Sequence, residues 1–298
     1  MELEQELGKK NEAVKIYRDM FANATIPSIE YEGLPTTCDT LYGEKSLFYN
    51  HMIVFFETED GLVLAKASAG SNPNPYNLPT KIVWHTPNGQ TGTIDAEDCV
   101  IMYNDVLRRP GFIRANYFAE KAAFLEDVIF QNARCQRNPL FAYSSKEDEL
   151  SMKQVQLQYE MGQTFINVST DFNPESIKIS NLAIPFTAMD IRKLQKDYIS
   201  QYLLSVGIAD SDNNKAERML TSEIATNVAE ALAYANSRLL PRQQAIEQIN
   251  IKFGHLLPDG PASVRYRNDI MENLLMAAKS NPNIYGQETY TDGGEEDV

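Results

Sequence analysis

The sequence has few of the residues on which catalytic and metal sites most often depend. Its 298 residues include three histidines, three cysteines and one tryptophan. An odd number of widely separated cysteines is poor material for a disulfide framework or a zinc site, so Cys38, Cys99 and Cys135 are predicted to be reduced thiols. The histidines fit no HExxH-type spacing, and no phosphate-binding GxxxxGK[ST] loop is present. We therefore predict no ATPase, no metal and no cofactor.

Positive charge is also scarce. The chain has 27 Lys and Arg against 41 Asp and Glu, which gives a formal net charge of -14. A protein that wraps nucleic acid over its surface needs clustered Lys and Arg, so any DNA contact must be sparse or local. No apolar run approaches the length of a membrane span, and the start MELEQELGKK is acidic where a secretory signal would be basic. The sequence predicts a soluble, unsecreted chain without membrane contact.

What is present is a hydrophobic content of 43%, enough for a sizeable core, with clear changes of period along the chain. Residues 11–23 have apolar side chains at helical spacing. Residues 50–105 alternate apolar runs with the turn signals Glu59-Asp60-Gly61 and Pro87-Asn88-Gly89, which predicts a small antiparallel β unit. Its aromatic residues could stack a ligand, but the strand context favours core packing for Phe55, Phe56 and Trp84.

Two longer helices are predicted on either side of a mixed segment. Residues 113–137 carry one apolar stripe, made of Phe118, Ala122, Leu125, Ile129 and Ala133. A second helix begins at Thr187, which has Asp190 three residues on as in a capping box, and runs to Gly207. Its stripe is made of Leu194, Tyr198, Ile199, Tyr202 and Leu203. Between these helices, residues 140–182 mix strand-like and helix-like pieces, with strands at 140–143 and in SIKIS.

The segment GIADSDNNKAERMLTSEI, residues 207–224, is too polar to pack against either neighbouring helix. Helical periodicity resumes after it, with Pro241 marking a kink or a new helix start and Gly254 marking the helix end. The last residues, GQETYTDGGEEDV, lack core-forming content and predict a disordered acidic tail. Together these patterns predict an α+β protein.

Several blocks of the sequence resemble the portal proteins, also called head-tail connectors or upper collar proteins, of small short-tailed phages of the Salasmaviridae and picovirus type. The similarity is carried by YEGLPTTCDTLYGEKSL (31–47), LSMKQVQLQYE (150–160), NPESIKISNL (173–182), LLSVGIADSDNNKAERMLTSEI (203–224) and AIEQINIKFG (245–254). The most specific are KQVQLQYE and the block ending in ERMLTSEI. None of these blocks is a catalytic motif.

The resemblance implies a portal fold whose subunits form a ring of about twelve copies around a DNA channel. It assigns the chain to an N-terminal helix and β wing (1–112), a first stem helix (113–138), a clip (139–184), a second stem helix (185–206), a tunnel loop (207–222), C-terminal wing helices and crown side (223–285) and the acidic tail (286–298). The ring would sit in the virion at one capsid vertex, after assembly in the host cytoplasm.

The same resemblance gives the polar loop a function. In a ring, each loop cation is repeated around the channel, so Lys215 and Arg218 would form a weak, sequence-independent contact with DNA phosphates. The alternative for both residues is a solvated turn without DNA contact. Lys193 and Lys196 of the second stem helix are candidates for a further ring, and the alternative is intersubunit ion pairing with Glu120, Glu126 or Asp127.

The implied partners are double-stranded DNA, the major capsid and scaffolding proteins, the packaging ATPase, and the lower collar and tail proteins. The residues assigned to docking on the clip are Lys153, Gln154, Gln158 and Tyr159. The sequence departs from relatives in two places: Ala216 replaces a second lysine before ERM, and the N-terminus lacks a basic arm, so RNA binding is not carried over. Two alternatives stay open, a different ring or adaptor protein of a phage tail and an enzyme with an unrecognised carboxylate site.

Overall fold

The computed structural model describes residues 2–71, 73–136, 140–143, 178–181, 185–208 and 221–270. The chain divides into two compact units, one made of Met1–Ala123 with Lys196–Val298 and the other of Phe124–Gln195. Within the described part, helices and antiparallel sheets occur together, so the predicted α+β class is confirmed. No helix of that part is both long and apolar enough to cross a bilayer.

The helices of the described chain are α1 (Glu2–Thr25), α2 (Thr40–Asn50), α3 (Gly111–Cys135), α4 (Ala188–Ser205) and α5 (Thr221–Phe253). Helices α3 and α4 correspond to the two longer helices that the sequence predicted. Helix α5 continues through Pro241, so a new helix does not begin there. Pro241 has no N–H for the carbonyl of Ser237, and the N–H of Val106 donates to that carbonyl instead, at 3.1 Å.

Helix α2 lies where the sequence analysis assigned no element. Its start is capped by Asp39, whose side chain accepts from the N–H of Tyr42 at 3.0 Å. It ends at His51, which adopts a left-handed conformation with φ 73°. The helix lies so close to the sheet that a Cβ at Gly43 would be 2.8 Å from Leu64. Short length and a weak apolar pattern explain why this helix escaped prediction.

The main sheet has five antiparallel strands in the order β5-β4-β3-β2-β6. They are β2 (Met52–Thr58), β3 (Gly61–Ala69), β4 (Lys81–His85), β5 (Thr91–Asp95) and β6 (Val100–Tyr103). The two predicted turns connect β2 with β3 and β4 with β5, with positive φ angles at Gly61 and Gly89. The antiparallel β unit predicted for residues 50–105 is therefore confirmed.

Both faces of strand β2 are buried, and they belong to different clusters. Ile53 and Phe55 join the largest core, to which α2, α5 and β6 also contribute. The other face, with Met52, Val54 and Phe56, packs with β3 and β4 residues. The prediction that Phe55, Phe56 and Trp84 pack in the core is confirmed, since both phenylalanines are buried and the Trp84 ring lies 5.0 Å from that of Phe56.

A second, two-stranded sheet joins distant parts of the sequence. Strand β1 (Ile29–Glu32) pairs antiparallel with β9 (Ser263–Tyr266), so that Ile29 lies opposite Tyr266. Each strand is only four residues long, which gives little periodicity to read. The pair links the segment that follows α1 with the segment that follows α5.

Within the first unit, α3 and α4 pack through small residues against large ones. Ala115 and Ala119 of α3 are fully buried with Tyr202 of α4, whose ring lies 4.0 Å from Phe21 of α1. The predicted stripes were partly wrong: Ala133 and Leu194 are exposed. The buried face of α3 instead begins at Ala115, because alanines allow the close approach that Tyr202 needs.

The second unit contains the C-terminal part of α3, the N-terminal part of α4 and a pair of strands. Strands β7 (Leu140–Tyr143) and β8 (Lys178–Asn181) pair antiparallel, and they agree with the predicted strands at 140–143 and in SIKIS. Asn132 ties α3 to the start of α4, because its side chain bonds the carbonyl of Pro185 and the N–H of Thr187. A short helix through ELSMKQVQLQYEM and a strand TFINVS are also predicted from the sequence between these strands, and both lie outside the described residues.

Candidate nucleic-acid interface

The cations predicted on the second stem helix lie on α4. Lys193 and Lys196 are both exposed, and their separation of three residues places them on one side of the helix. The Nζ atom of Lys193 lies 3.4 Å from Oδ1 of Asp190, and the two side chains are 77% and 80% exposed. A pair so exposed is strongly screened by water, so Lys193 keeps its charge available to a larger anion.

The acidic side chains proposed as alternative partners of these lysines are also exposed. Glu120 accepts from Asn116 at 2.7 Å, Glu126 accepts from Gln195 at 3.0 Å, and Asp127 accepts from Gln131 at 3.5 Å. These are contacts within one chain, so they leave the intersubunit alternative for Lys193 and Lys196 as a prediction.

Lys215 and Arg218 of the predicted tunnel loop lie outside the described residues, as do the clip residues Lys153, Gln154, Gln158 and Tyr159. The structure does describe residues 203–208, where the chain leaves α4 toward the loop. There the N–H of Ile208 donates to Leu203 O and the N–H of Gly207 donates to Leu204 O, both at 2.9 Å. This pair of bonds is a Schellman motif, and Gly207 takes the left-handed position that it requires, with φ 81°.

A buried arginine of α5 holds this turn. One terminal nitrogen of Arg238 donates to the carbonyl of Val206 at 3.0 Å and to the hydroxyls of Ser28 and Tyr266 at 3.3 Å. Its other terminal nitrogen donates to the carbonyl of Thr25 at 3.3 Å. Val206 and Thr25 lie at the C-terminal ends of α4 and α1. Arg238 therefore connects three helix segments that are distant in the sequence.

The next turn of α5 carries a second buried arginine, and this one has a carboxylate partner. Arg242 is fully buried and binds Glu44 of α2 through two bonds, at 2.7 and 2.8 Å. It also donates to the carbonyl of Asn104 at 2.6 Å. Burial alone would raise the pKa of Glu44, but the Arg242 guanidinium outweighs burial and lowers that pKa below its usual value.

Sequence reasoning missed both arginines, although a signal was present. The buried stripe of α5 follows a spacing of alternating three and four residues, and it consists of Ala231, Ala235, Arg238, Arg242, Ala245 and Ile249. Two arginines at stripe positions indicate buried cations that must find partners elsewhere in the fold. The sequence shows the positions, but the partners come from α1, α2 and α4.

The described part of the chain contains no group of three or more His, Cys, Asp or Glu side chains placed to hold a metal ion. Cys38 and Cys99 are free and buried, and burial raises the pKa of each thiol to about 11, which keeps both protonated at neutral pH. Both thiols are therefore poor nucleophiles.

A family model described as Phage Connector (GP10) matches residues 2–271. The chain belongs to the phage connector family. This membership confirms the resemblance on which the functional predictions rest, and it covers all of the described residues.

Solved portal structures are similar to this connector. An HK97-family phage portal protein from Corynebacterium diphtheriae has a TM-score of 0.50 at 10% identity, with 88% of this chain and 93% of that chain covered. That likeness supports a portal fold for the connector. A chain from the portal and tail of native bacteriophage P68 has a TM-score of 0.46 at 15% identity, with 95% of this chain and 97% of that chain covered.

Proposed function

We propose that this connector forms the ring at one capsid vertex through which double-stranded DNA is packaged and ejected. The observation that supports this function most strongly is the family match over residues 2–271. The channel is built by the assembly and not by one chain, so the relevant chemistry is the surface that each copy presents to its neighbours and to the lumen. We take a ring of about twelve copies from the portal resemblance.

The surface of α3 supports assembly. Its described length exposes four large apolar side chains by 54–61%, namely Ile113, Tyr117, Phe124 and Phe130. Exposed apolar side chains gathered on one helix are costly in water and are typical of a surface that another chain covers. We propose that a neighbouring subunit covers them in the ring.

The charges support a weak contact with DNA. The net charge of -14 repels phosphates, which keeps a duplex from adhering to the channel wall. Lys193 and Lys196 are exposed on α4, and Lys215 and Arg218 follow the turn at Gly207. Repeated around a ring, such cations give contacts that are sequence-independent and easily broken. We propose that they resist backward slippage of DNA while the capsid fills.

The remaining partners follow from the same proposal. The clip, with Lys153, Gln154, Gln158 and Tyr159, would dock first the packaging ATPase and later the lower collar and tail proteins. The wing would contact the major capsid and scaffolding proteins during assembly in the host cytoplasm, and the finished ring would be part of the virion.

Negative-stain imaging of the purified connector tests the assembly. We expect closed rings, and the variant Phe124→Asp should weaken them because it places a charge in the subunit interface. The control Tyr76→Asp changes an aromatic residue that is 84% exposed and lies outside the helices, so it should assemble normally. A monodisperse monomer for the unaltered chain would contradict the ring.

Genome retention tests the DNA contact. Lys215→Ala combined with Arg218→Ala should give normal rings that retain nearly full genomes poorly. The charge-matched control is Lys81→Ala combined with Arg265→Ala, which removes two exposed cations from strands β4 and β9. Stable retention of full-length genomes by the loop variant would eliminate its DNA contact.

The pair Lys193→Ala and Lys196→Ala separates the two functions considered for α4. Normal rings with reduced retention would assign these lysines to the channel. Loss of rings would assign them to ion pairs between subunits, because removal of an interface cation leaves its carboxylate partner unpaired.

A further inference from the structure

We propose that Arg238 is a positioning residue that fixes the direction in which the chain leaves α4 toward the polar loop. It does so by binding the C-terminal carbonyls of α4 and α1 at the same time. This role rests on the proposed channel function in one respect. The direction of the chain can affect packaging only if the loop contacts DNA.

The contacts of Arg238 form a buried network with few alternatives. The residue is 5% exposed, and Tyr266 both accepts from Arg238 and donates to the carbonyl of Val206, at 3.3 and 3.2 Å. The hydroxyl of Ser28 donates to the carbonyl of Thr25 at 2.6 Å, which fixes the second helix end. Water has little access here, so without Arg238 the carbonyls of Val206 and Thr25 would each lose their charged donor and keep the hydroxyl donor from Tyr266 or Ser28.

The acceptors of Arg238 in the described chain are neutral oxygens. Its charge helps to lower the pKa of Glu44, but the hydrogen bonds to that carboxylate come from Arg242. The C-terminal end of a helix carries a partial negative charge. Two such ends, those of α1 and α4, meet the guanidinium. Arg238 is therefore specific for this junction of helix ends and not for a carboxylate.

A second contact holds the same turn against α5. Gly207 lies so close to Ala235 that a Cβ added at Gly207 would be 2.6 Å from the Cβ of Ala235. Ala235 and Arg238 occupy successive turns on the buried side of α5. The backbone is thus held by steric contact at Gly207 and by hydrogen bonds at Val206.

Both ends of the loop consequently depend on the same helix. Its far end joins α5 covalently at Thr221, and Ala235 lies about 21 Å further along the axis at 1.5 Å per residue. Its near end is held to α5 by the contact of Gly207 with Ala235, by the bond from Arg238 to the carbonyl of Val206, and by the packing of Ile208 in the core that includes Ala235. Losing Arg238 removes the hydrogen-bonded part of this attachment, while the far end stays joined to α5 through the chain.

Arg242 provides the matched control. It is buried on the next turn of α5, yet its bonds go to Glu44, Asn104 and the carbonyl of Arg238, and none goes to Val206. A substitution at Arg242 therefore destabilises the fold without removing a bond from the turn at Val206. A purely structural arginine at position 238 would behave in the same way.

The test measures amide hydrogen-exchange rates on assembled rings. The rates in a peptide covering residues 203–208 are compared with those in a peptide covering β2, which serves as the internal reference. In Arg238→Met, the amides of Gly207 and Ile208 should exchange at least about tenfold faster relative to β2, since a bond from a charged donor to a buried carbonyl is lost. In Arg242→Lys, both peptides should change by the same factor. An equal change of both peptides in Arg238→Met would overturn the proposal.

A milder variant covers the case in which Arg238→Met does not fold. Tyr266→Phe removes one hydroxyl that bonds both Arg238 and Val206, and it should accelerate exchange at residues 206–208 by a few-fold while rings persist. Unchanged exchange at these residues would overturn the proposal independently.

Genome retention separates this inference from the channel function. If the loop contacts DNA, Tyr266→Phe should reduce retention, and adding Lys215→Ala with Arg218→Ala should reduce it no further, because both changes act on one contact. Faster exchange with normal retention would support the positioning role of Arg238 and overturn the DNA contact of the loop. A further, additive loss in the combined variant would show that the turn acts on packaging by another route, and would overturn the link between Arg238 and the loop cations.

Discussion

Replacing Arg242 with methionine should cost about 3–5 kcal/mol of unfolding free energy, because it leaves the carboxylate of Glu44 buried without its cation. Arg242 is fully buried and Glu44 is 3% exposed. The hydroxyl of Tyr31 still donates to Glu44 at 2.5 Å, so part of the carboxylate remains hydrogen-bonded. The expected loss of unfolding free energy is therefore the cost of breaking a buried ion pair, and not the cost of burying a fully isolated charge.

A double-mutant cycle isolates the pair. Glu44→Met alone should cost a similar amount, since it leaves a buried guanidinium without a carboxylate. The double variant should be far less destabilised than the sum of the two, with about 1–3 kcal/mol remaining because Asn104 loses the bond to its carbonyl. Two apolar side chains of similar length fill the space that the ion pair occupied.

Urea unfolding at one fixed protein concentration measures these costs, because the proposed ring assembly would add a concentration-dependent contribution. The control is Arg267→Met, which breaks the exposed pair of Arg267 with Asp269 and should cost less than about 1 kcal/mol. If Arg242→Met costs no more than this control, or if the cycle is additive, the buried pair does not hold α5 to α2.

Three further predictions concern other parts of the molecule. Gly207→Ala and Gly89→Ala both place alanine at a positive φ, 81° and 88°, but only Gly207 lies against Ala235, so it should lose about 1–3 kcal/mol more in thermal unfolding; equal losses would contradict the close contact. The pKa of Glu44 is lowered in the folded protein, so the stability it contributes is present at neutral pH and is lost as the pH falls below the unfolded value of about 4.3; Glu44→Gln should flatten this part of the stability profile, and an unchanged profile would refute the assignment. The purified protein should neither hydrolyse ATP nor bind a stoichiometric metal, since the sequence has no GxxxxGK[ST] loop and the described residues hold no metal-ligand cluster; turnover of ATP, or a bound metal found by elemental analysis, would contradict this.

Features encoded by neighbouring residues could be predicted from the sequence. The two hairpin turns around Gly61 and Gly89 depend on residues that accept a positive φ. Helices α3 and α4 follow from their periodicity, and the end of α4 at Gly207 follows from the conformational freedom of glycine. The portal resemblance, confirmed by the family match, rests likewise on contiguous blocks of sequence.

Other features exist only after distant segments meet. The pairing of β1 with β9 aligns residues 29–32 with 263–266. A four-residue strand has too short a pattern for its pairing with so distant a segment to be predicted. The same holds for the buried face of α3, where Ala115 and Ala119 pack in one cluster with Tyr202 of α4 and Phe21 of α1.

The class of elements, the turns and the family could be inferred from the sequence, because they depend on local backbone preferences and on contiguous motifs. The roles of the two α5 arginines depend instead on the folded arrangement of distant segments. Arg238 and Arg242 have the same side chain and lie one turn apart, yet one binds the ends of two helices and the other binds Glu44. The difference arises because burial forces each guanidinium to find acceptors, and the fold determines which acceptors are within reach.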